Sequence, residues 1–115
     1  MPSAYIIANV TVTDPVQYEE YKKLSSIAMR VHGAEVCVRG GRVEVLEGDW
    51  TPERVVLLKF SDADQARAFY NSPEYGQAIQ ARKSVSVMRM VLVESAWTAC
   101  VHACAHHPRY IILIF

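Results

Sequence analysis

Hydrophobic and polar residues are patterned as a strand from residue 4 to residue 13. β-branched side chains are frequent in this stretch, as is typical of strands. Alternate residues form two sets, one for each side of a sheet: Tyr5, Ile7, Asn9 and Thr11, and then Ile6, Ala8, Val10 and Val12. Both sets carry bulky side chains, so the pattern predicts a central strand that is covered on both faces.

A helix is predicted directly after this strand. Asp14 can act as its N-cap, and Pro15 suits the first helical position. Apolar residues then recur every three or four positions, which gives one stripe of Tyr18, Tyr21, Leu24, Ala28 and Val31. Gly33 supplies the left-handed residue that commonly ends a helix.

A hairpin is predicted next. Two short strand patterns, 35–39 and 42–47, flank Gly40 and Gly41, and a pair of glycines between two strands indicates a tight turn. The stretch 54–60 is almost continuously apolar, which predicts a strand buried on both faces.

The second half of the chain predicts a broken helix and a last strand. The helix begins near Asp62 and is interrupted at 71–73, where Ser72 can act as a cap and Pro73 can start a further helix to about residue 82. A final strand follows at 87–94. The order β-α-β-β-β-α-β predicts an α+β fold of the ferredoxin-like split βαβ type with an extra β-hairpin.

Three sequence blocks carry a resemblance to a known family. They are Asp14-Pro15 with Tyr18 and Tyr21, the run 38–50, and the run 69–75 followed by 81–83. Together they resemble domain-of-unknown-function family 1330, which belongs to the dimeric α+β barrel superfamily. The resemblance covers roughly residues 3–95. It implies a homodimer in which each antiparallel sheet carries helices on one face and packs its other face on the partner's sheet. It implies no particular reaction.

Composition narrows the function further. The chain has 115 residues, with twelve Lys plus Arg and twelve Asp plus Glu, so its formal net charge is zero. A protein without a basic excess is not expected to have nucleic acid as its main partner. The longest apolar runs, 55–58 and 110–115, are far shorter than the ~20 residues of a membrane helix. We find no signal-peptide pattern, and three cysteines are an odd number, so we expect a cytoplasmic protein.

The chain divides by composition into a domain at 1–96 and an atypical C-terminal extension at 97–115. The extension contains Arg109 as its only Lys, Arg, Asp or Glu residue. It also contains potential metal-ligating side chains, namely Cys100, His102, Cys104, His106 and His107. Their spacing does not match a zinc signature, so we predict no metal site. No phosphate-binding or nucleophile motif is present, so we expect no cofactor.

Two residues are candidates for catalysis. Arg39 can clamp a carboxylate or enolate through its planar guanidinium; alternatively, it can form a salt bridge to Glu44, Glu47 or Asp49. His32 can act as a general base because imidazole titrates near neutrality. Its alternative role is structural, as a cation at the C-terminal end of the first helix.

Four further residues are candidates for ligand binding. Asn9 is a polar residue at a buried strand position, where it must bond either backbone groups or a ligand. Trp50 can line a ligand site or bury itself in a dimer interface. Tyr70 and Tyr75 can direct hydroxyls into a cleft, or they can be core residues with paired hydroxyls.

These features predict a small homodimer that binds or converts a small anionic organic molecule in a pocket between sheet and helices. The alternative is a non-catalytic dimeric module that senses a ligand or has a structural role. A third interpretation is a larger assembly in which the run 110–115 adds a strand to an exposed sheet edge.

Overall fold

Four antiparallel strands and three helices make up the computed structural model, which describes residues 2–96. The predicted extension 97–115 lies outside the described residues, together with its cysteines, its histidines and the strand-forming run 110–115. The elements, in chain order, are β1 (Ala4–Val12), α1 (Pro15–Val31), β2 (Glu35–Arg39), β3 (Arg54–Phe60), α2 (Ala63–Tyr70), α3 (Pro73–Arg82) and β4 (Ser86–Glu94).

The strands are ordered β2-β3-β1-β4 in one sheet. β1 is central: Ile6 lies opposite Leu58 of β3 on one side and opposite Leu92 of β4 on the other. This is the split βαβ arrangement of ferredoxin-like folds, so the predicted fold class is confirmed.

The core lies between the helices and one face of the sheet. From β1 it takes Ala4, Ile6, Ala8 and Val10, which are all buried. The helices contribute mainly aromatic side chains, namely Tyr18, Tyr21, Phe69 and Tyr75. The sequence pattern assigns Ile6, Ala8 and Val10 to one face of the sheet, and the structure confirms this, because side chains alternate along a strand.

Capping residues position the three helices as the sequence predicts. The carboxylate of Asp14 accepts a hydrogen bond from the backbone N–H of Gln17 at 3.2 Å. Asp62 caps α2 in the same way, and the Ser72 hydroxyl accepts from the Tyr75 N–H at 3.1 Å. Each cap satisfies an N–H that has no partner within its helix. The predicted break between α2 and α3 is thereby confirmed.

The inner stripe of α1 differs from the prediction at its end. Val31 is 60% exposed, whereas Ser25 and Met29 are buried. The buried residues follow the 3.6-residue turn of the helix, and Val31 lies in the last turn, beyond the edge of the sheet-facing stripe.

The predicted hairpin strand at 42–47 is wrong. No strand forms between β2 and β3, and all residues from 41 to 47 are exposed. β3 instead occupies the place beside β2, because it places Leu58 and Phe60 in the core while Val43 and Val45 reach no core residue.

A β-bulge in β2 changes which side its residues face. Val36 lies opposite Leu58, but the next paired residue is Val38, opposite Leu57, so Cys37 is an extra residue. Arg39 therefore faces the helices. Regular alternation along β2 would place Arg39 on the same side as Cys37 and opposite Val36; with the bulge, Arg39 and Val36 share the core face.

The second face of the sheet carries no helix. We call this the open face; its residues are Tyr5, Ile7, Asn9, Thr11, Glu35, Val38, Val55, Leu57, Lys59, Val87, Arg89, Val91 and Val93. Most of them are apolar, and Val91 is 56% exposed in the single chain. The strands predicted to be buried on both faces are thus covered by their own chain on one face only.

Candidate functional site

A small cavity lies between the helices and the core face of the sheet. Its apolar wall is formed by β1 and β4, with Ile6, Val10, Met88 and Met90 among its members. Its volume is about 30 Å³. Since one water needs roughly 10–15 Å³, the cavity has room for about two or three waters in this conformation.

The polar wall of the cavity is cationic. Arg39, Arg54 and Lys22 all line it, and no Asp or Glu is among its lining residues within the described part of the chain. Lys22 is already paired with Glu19, at 3.0 Å between Nζ and Oε1. The two arginines form no ion pair within residues 2–96. A positive wall without a counter-charge favours an anion.

Arg39 reaches the cavity from the edge strand. Its Nη2 donates a hydrogen bond to the Ser26 hydroxyl at 3.0 Å. The predicted alternative, a salt bridge to Glu44, Glu47 or Asp49, does not form. One hydrogen bond uses one of the five N–H groups of the guanidinium, so Arg39 retains donors for a second acceptor.

Arg54 is held at the start of β3 by the turn that follows β2. Gly40 has a positive φ of 71°, a conformation that favours glycine, and its Cα side packs against Nη1 of Arg54. A side chain at position 40 would strain the turn and displace the guanidinium. Its Nε is buried and has no hydrogen-bond partner in the described structure. Such a donor is costly to leave unpaired, and a water or an acceptor from outside the chain would satisfy it.

Tyrosine hydroxyls complete the polar part of the cavity. Tyr21 and Tyr75 share a hydrogen bond of 2.8 Å between their buried hydroxyls. Burial raises the pKa of Tyr21, and the neighbouring Tyr75 raises it further. Burial also raises the pKa of Tyr18, against the opposing charge of Arg54. The hydroxyls of Tyr18 and Tyr21 are therefore protonated at neutral pH and act as hydrogen-bonding groups.

Two of the predicted ligand residues meet in this cavity, namely Arg39 and Tyr75. The other three lie elsewhere. Asn9 is on the open face, where its Oδ1 is buried without a partner. Trp50 is 56% exposed in the segment between β2 and β3. Tyr70 packs its ring 5.7 Å from that of Tyr75 but lines a different groove.

This second groove lies between α2 and the edge strand β4. It is open to solvent, has a volume of about 300 Å³ and is lined by residues that include Arg67, Tyr70 and Met90. Arg67 is paired with Asp64, at 3.1 Å between Nη1 and Oδ1. Of the two roles predicted for Tyr70, the core residue does not fit the structure, because Tyr70 lines this groove and is 42% exposed.

His32 lies outside the cavity and joins two helices. Its Nε2 is 2.9 Å from Oε1 of Glu74, so the end of α1 is tied to the start of α3. The hydrogen bond from His32 lowers the pKa of Glu74. Sequence periodicity does not predict the pairing of His32 with Glu74, because the two residues are 42 positions apart.

Arg54, Tyr18 and Lys22 are members of the site that sequence reasoning missed. A signal for Arg54 was present: side chains alternate along a strand, so Arg54 shares a face with the inward-facing Leu58. Tyr18 and Lys22 lie four residues apart on α1, a spacing that brings side chains together on a helix. Tyr18 had been assigned to the core stripe alone.

The described residues contain neither a cluster of metal-ligating side chains nor a membrane-spanning helix. Between residues 2 and 96, no three His, Cys, Asp or Glu side chains are grouped closely enough to hold a metal ion. None of the helices there combines the length and hydrophobicity that crossing a bilayer requires.

Known structures share this fold. A protein of unknown function from Rhodopseudomonas palustris aligns with a TM-score of 0.66 at 16% identity, covering 84% of each chain. SnoaB, a cofactor-independent oxygenase from Streptomyces nogalater, aligns with a TM-score of 0.58 at 15% identity, over 85% of this chain and 97% of its own. A dimeric ferredoxin-like protein of unknown function from Thermobifida fusca aligns with a TM-score of 0.55 at 17% identity, over 84% and 92%. Similarity at these identities establishes the fold alone.

The fold defines a ferredoxin-like α+β protein of a class with dimeric structural neighbours. No curated protein matches the sequence significantly. The chain belongs to the family described as Domain of unknown function (DUF1330), whose model matches residues 3–96. The resemblance predicted from the three sequence blocks is confirmed.

Proposed function

We propose that this protein is a homodimer that binds a small anionic organic molecule in the cavity between its helices and its sheet. The observation that carries the proposal is the cationic wall: Arg39, Arg54 and Lys22 line the cavity, and no carboxylate does within the described residues. A carboxylate or enolate supplies the acceptor atoms that two guanidinium groups match.

The cavity must enlarge to admit such a molecule, because about 30 Å³ is too small for an organic ligand. Its walls allow this change. Met29, Met88 and Met90 line it, and unbranched methionine side chains adapt their shape readily. The apolar wall suits the hydrocarbon part of the ligand, while the arginines hold its charge.

The homodimer is supported by the apolar open face, which no helix within residues 2–96 covers, and by the dimeric structural neighbours. A sheet face with Ile7, Val91 and Val93 exposed to water gains stability when a second sheet covers it. The odd number of cysteines in the sequence supports a cytoplasmic location, as a further part of the proposal.

Anion binding is tested by isothermal titration with benzoate and with acetate. The variants are Arg54→Met and Arg39→Met, and Arg30→Met is the matched control because Arg30 is exposed on α1 and does not line the cavity. Each charge-assisted hydrogen bond contributes about 1.5–3 kcal/mol, so each cavity variant is expected to bind roughly tenfold to a hundredfold more weakly. Equal affinity in all four proteins would contradict the site.

A non-catalytic ligand-sensing or structural module is the second candidate, and the small cavity favours it. The enzymatic form of the proposal is conversion of the bound anion, and SnoaB provides a precedent for cofactor-independent oxygenation on this fold. Mass spectrometry of a bound anion incubated with the protein in air distinguishes the two. A new product that requires Arg54 supports conversion, and an unchanged ligand supports the module.

A further inference from the structure

The segment between β2 and β3 is unusually open. We call residues 41–53 the arm. Every arm residue is exposed except the half-buried Pro52. Within the described residues, no backbone–backbone hydrogen bond involves the arm; Gly40, just before it, donates to Val55 at 2.9 Å. The arm therefore has no backbone partner in the described part of its own subunit after this bond.

The arm has the sequence of a strand but lacks a strand to pair with. Residues 42–45 alternate charged and β-branched side chains, and Leu46 and Glu47 follow them; this is the pattern that wrongly predicted a hairpin. The arm's apolar side chains remain partly exposed in the single subunit: Val43 is 38%, Val45 40% and Trp50 56% exposed. A strand-forming segment of this kind gains both backbone partners and apolar burial from a second chain.

We infer that the arm is exchanged between subunits: in the proposed homodimer, each arm lies against the second copy as a strand and buries Val43, Val45 and Trp50 there. This inference rests on the proposed homodimer and adds its specific contact.

Position and charge both favour a second copy as the occupant. Val38, three residues before the arm begins, belongs to the open face, so the arm continues from the surface that would pack on the partner. The arm carries four carboxylates and one guanidinium. The open face carries two basic residues, Lys59 and Arg89, neither of which forms a salt bridge within residues 2–96. It also carries one acidic residue, Glu35, which lies opposite Lys59 on the neighbouring strand. An acidic arm meeting a second copy's basic side chains is electrostatically complementary.

Arm exchange would also affect the cavity. The arm begins beside Gly40, which packs against the guanidinium of Arg54. Anchoring the arm on a partner would hold this end of the β2–β3 connection in place, and with it one of the two arginines of the cationic wall.

The test compares hydrogen exchange of the arm amides in the dimer and in the monomer. The full-length protein is measured at a concentration where sedimentation shows a dimer, beside a Val91→Asp variant whose open face can no longer pack. We expect exchange in residues 42–47 to be at least tenfold slower in the wild-type dimer than in the monomeric variant. A second variant, Val43→Asp with Val45→Asp, is expected to weaken dimerisation at least tenfold, while Val16→Asp, an exposed valine on α1, leaves it unchanged.

Each result decides one claim. Slow arm exchange in the dimer only, with weaker dimerisation of the arm variant alone, supports the exchanged arm. Equal exchange in dimer and monomer, or an arm variant that dimerises like the Val16→Asp control, overturns it and leaves the homodimer standing. A wild-type protein that sediments as a monomer overturns the homodimer, and the arm inference falls with it.

Discussion

The buried hydroxyl pair of Tyr21 and Tyr75 allows us to predict how substitutions there change the free energy of unfolding. The hydroxyls are 2.8 Å apart, and Tyr75 is 1% exposed. Tyr75→Phe keeps the ring, which packs 4.6 Å from that of Phe69, but it leaves the Tyr21 hydroxyl without its partner. An unpaired buried polar group costs about 1–3 kcal/mol, so this variant is expected to lose that amount of stability.

The double variant, Tyr21→Phe with Tyr75→Phe, is expected to be more stable than either single variant. It removes both hydroxyls and leaves no unpaired group, a change that is often nearly neutral. Both tyrosines line the cavity of about 30 Å³, which has room for a water. A water that bonds the remaining hydroxyl brings the loss in each single variant to the lower end of the range.

Urea unfolding followed by circular dichroism measures these differences. All proteins are compared at one concentration, because dimerisation makes apparent stability depend on it. Tyr70→Phe is the matched control: Tyr70 is largely exposed, and its hydroxyl forms no hydrogen bond within the described residues, so a change within ~0.5 kcal/mol is expected. The reasoning is refuted if the double variant loses as much as the two single variants combined.

Three further predictions concern pH and the turn after β2. The pKa of Glu74 is lowered in the folded protein, so the ionised Glu74 stabilises the fold above the ordinary pKa of 4.5, and this stabilisation is lost as pH falls below that value. In urea unfolding measured at several pH values, Glu74→Gln should therefore show a smaller loss of stability on the acid side. The raised pKa of Tyr21 has the opposite sign, with stability present below pH 10 and lost as pH rises above it; Tyr21→Phe should flatten the alkaline side, and an unchanged slope would contradict this. Gly40→Ala should cost about 1–2 kcal/mol and weaken anion binding by displacing Arg54, whereas Gly41→Ala, with no positive φ, should do neither.

Elements with strong local signals were predictable from the sequence. β3 was predicted with the bounds that the structure shows, and α1 was predicted from the Asp14 cap, its apolar stripe and Gly33. These signals are local, since they depend on side-chain periodicity and on caps within a few residues. The choice of partner strand is not local. The stretch 42–47 has strand character, but β3 takes the place beside β2 because it adds more side chains to the core.

The candidate site was predictable only in part, for the same reason. Arg39 and Tyr75 were identified and do meet in the cavity. Arg39 reaches the cavity because of the bulge in β2, and no residue pattern around Cys37 predicts that bulge. Arg54 was missed because it was considered only as the first residue of a strand. His32 and Glu74 pair across 42 positions, a distance over which sequence periodicity carries no information.

The bulge at Cys37 has a consequence for comparing relatives by sequence alignment. Removing Cys37 would make β2 a regular strand in which Val36, Val38 and Arg39 keep the sides they now face. A relative without the extra residue would therefore carry its cavity arginine one position earlier. An alignment that places its gap in the following loop would pair that arginine with Val38, on the wrong side of the sheet. Placing the gap at Cys37 is the choice that keeps equivalent side chains in one column.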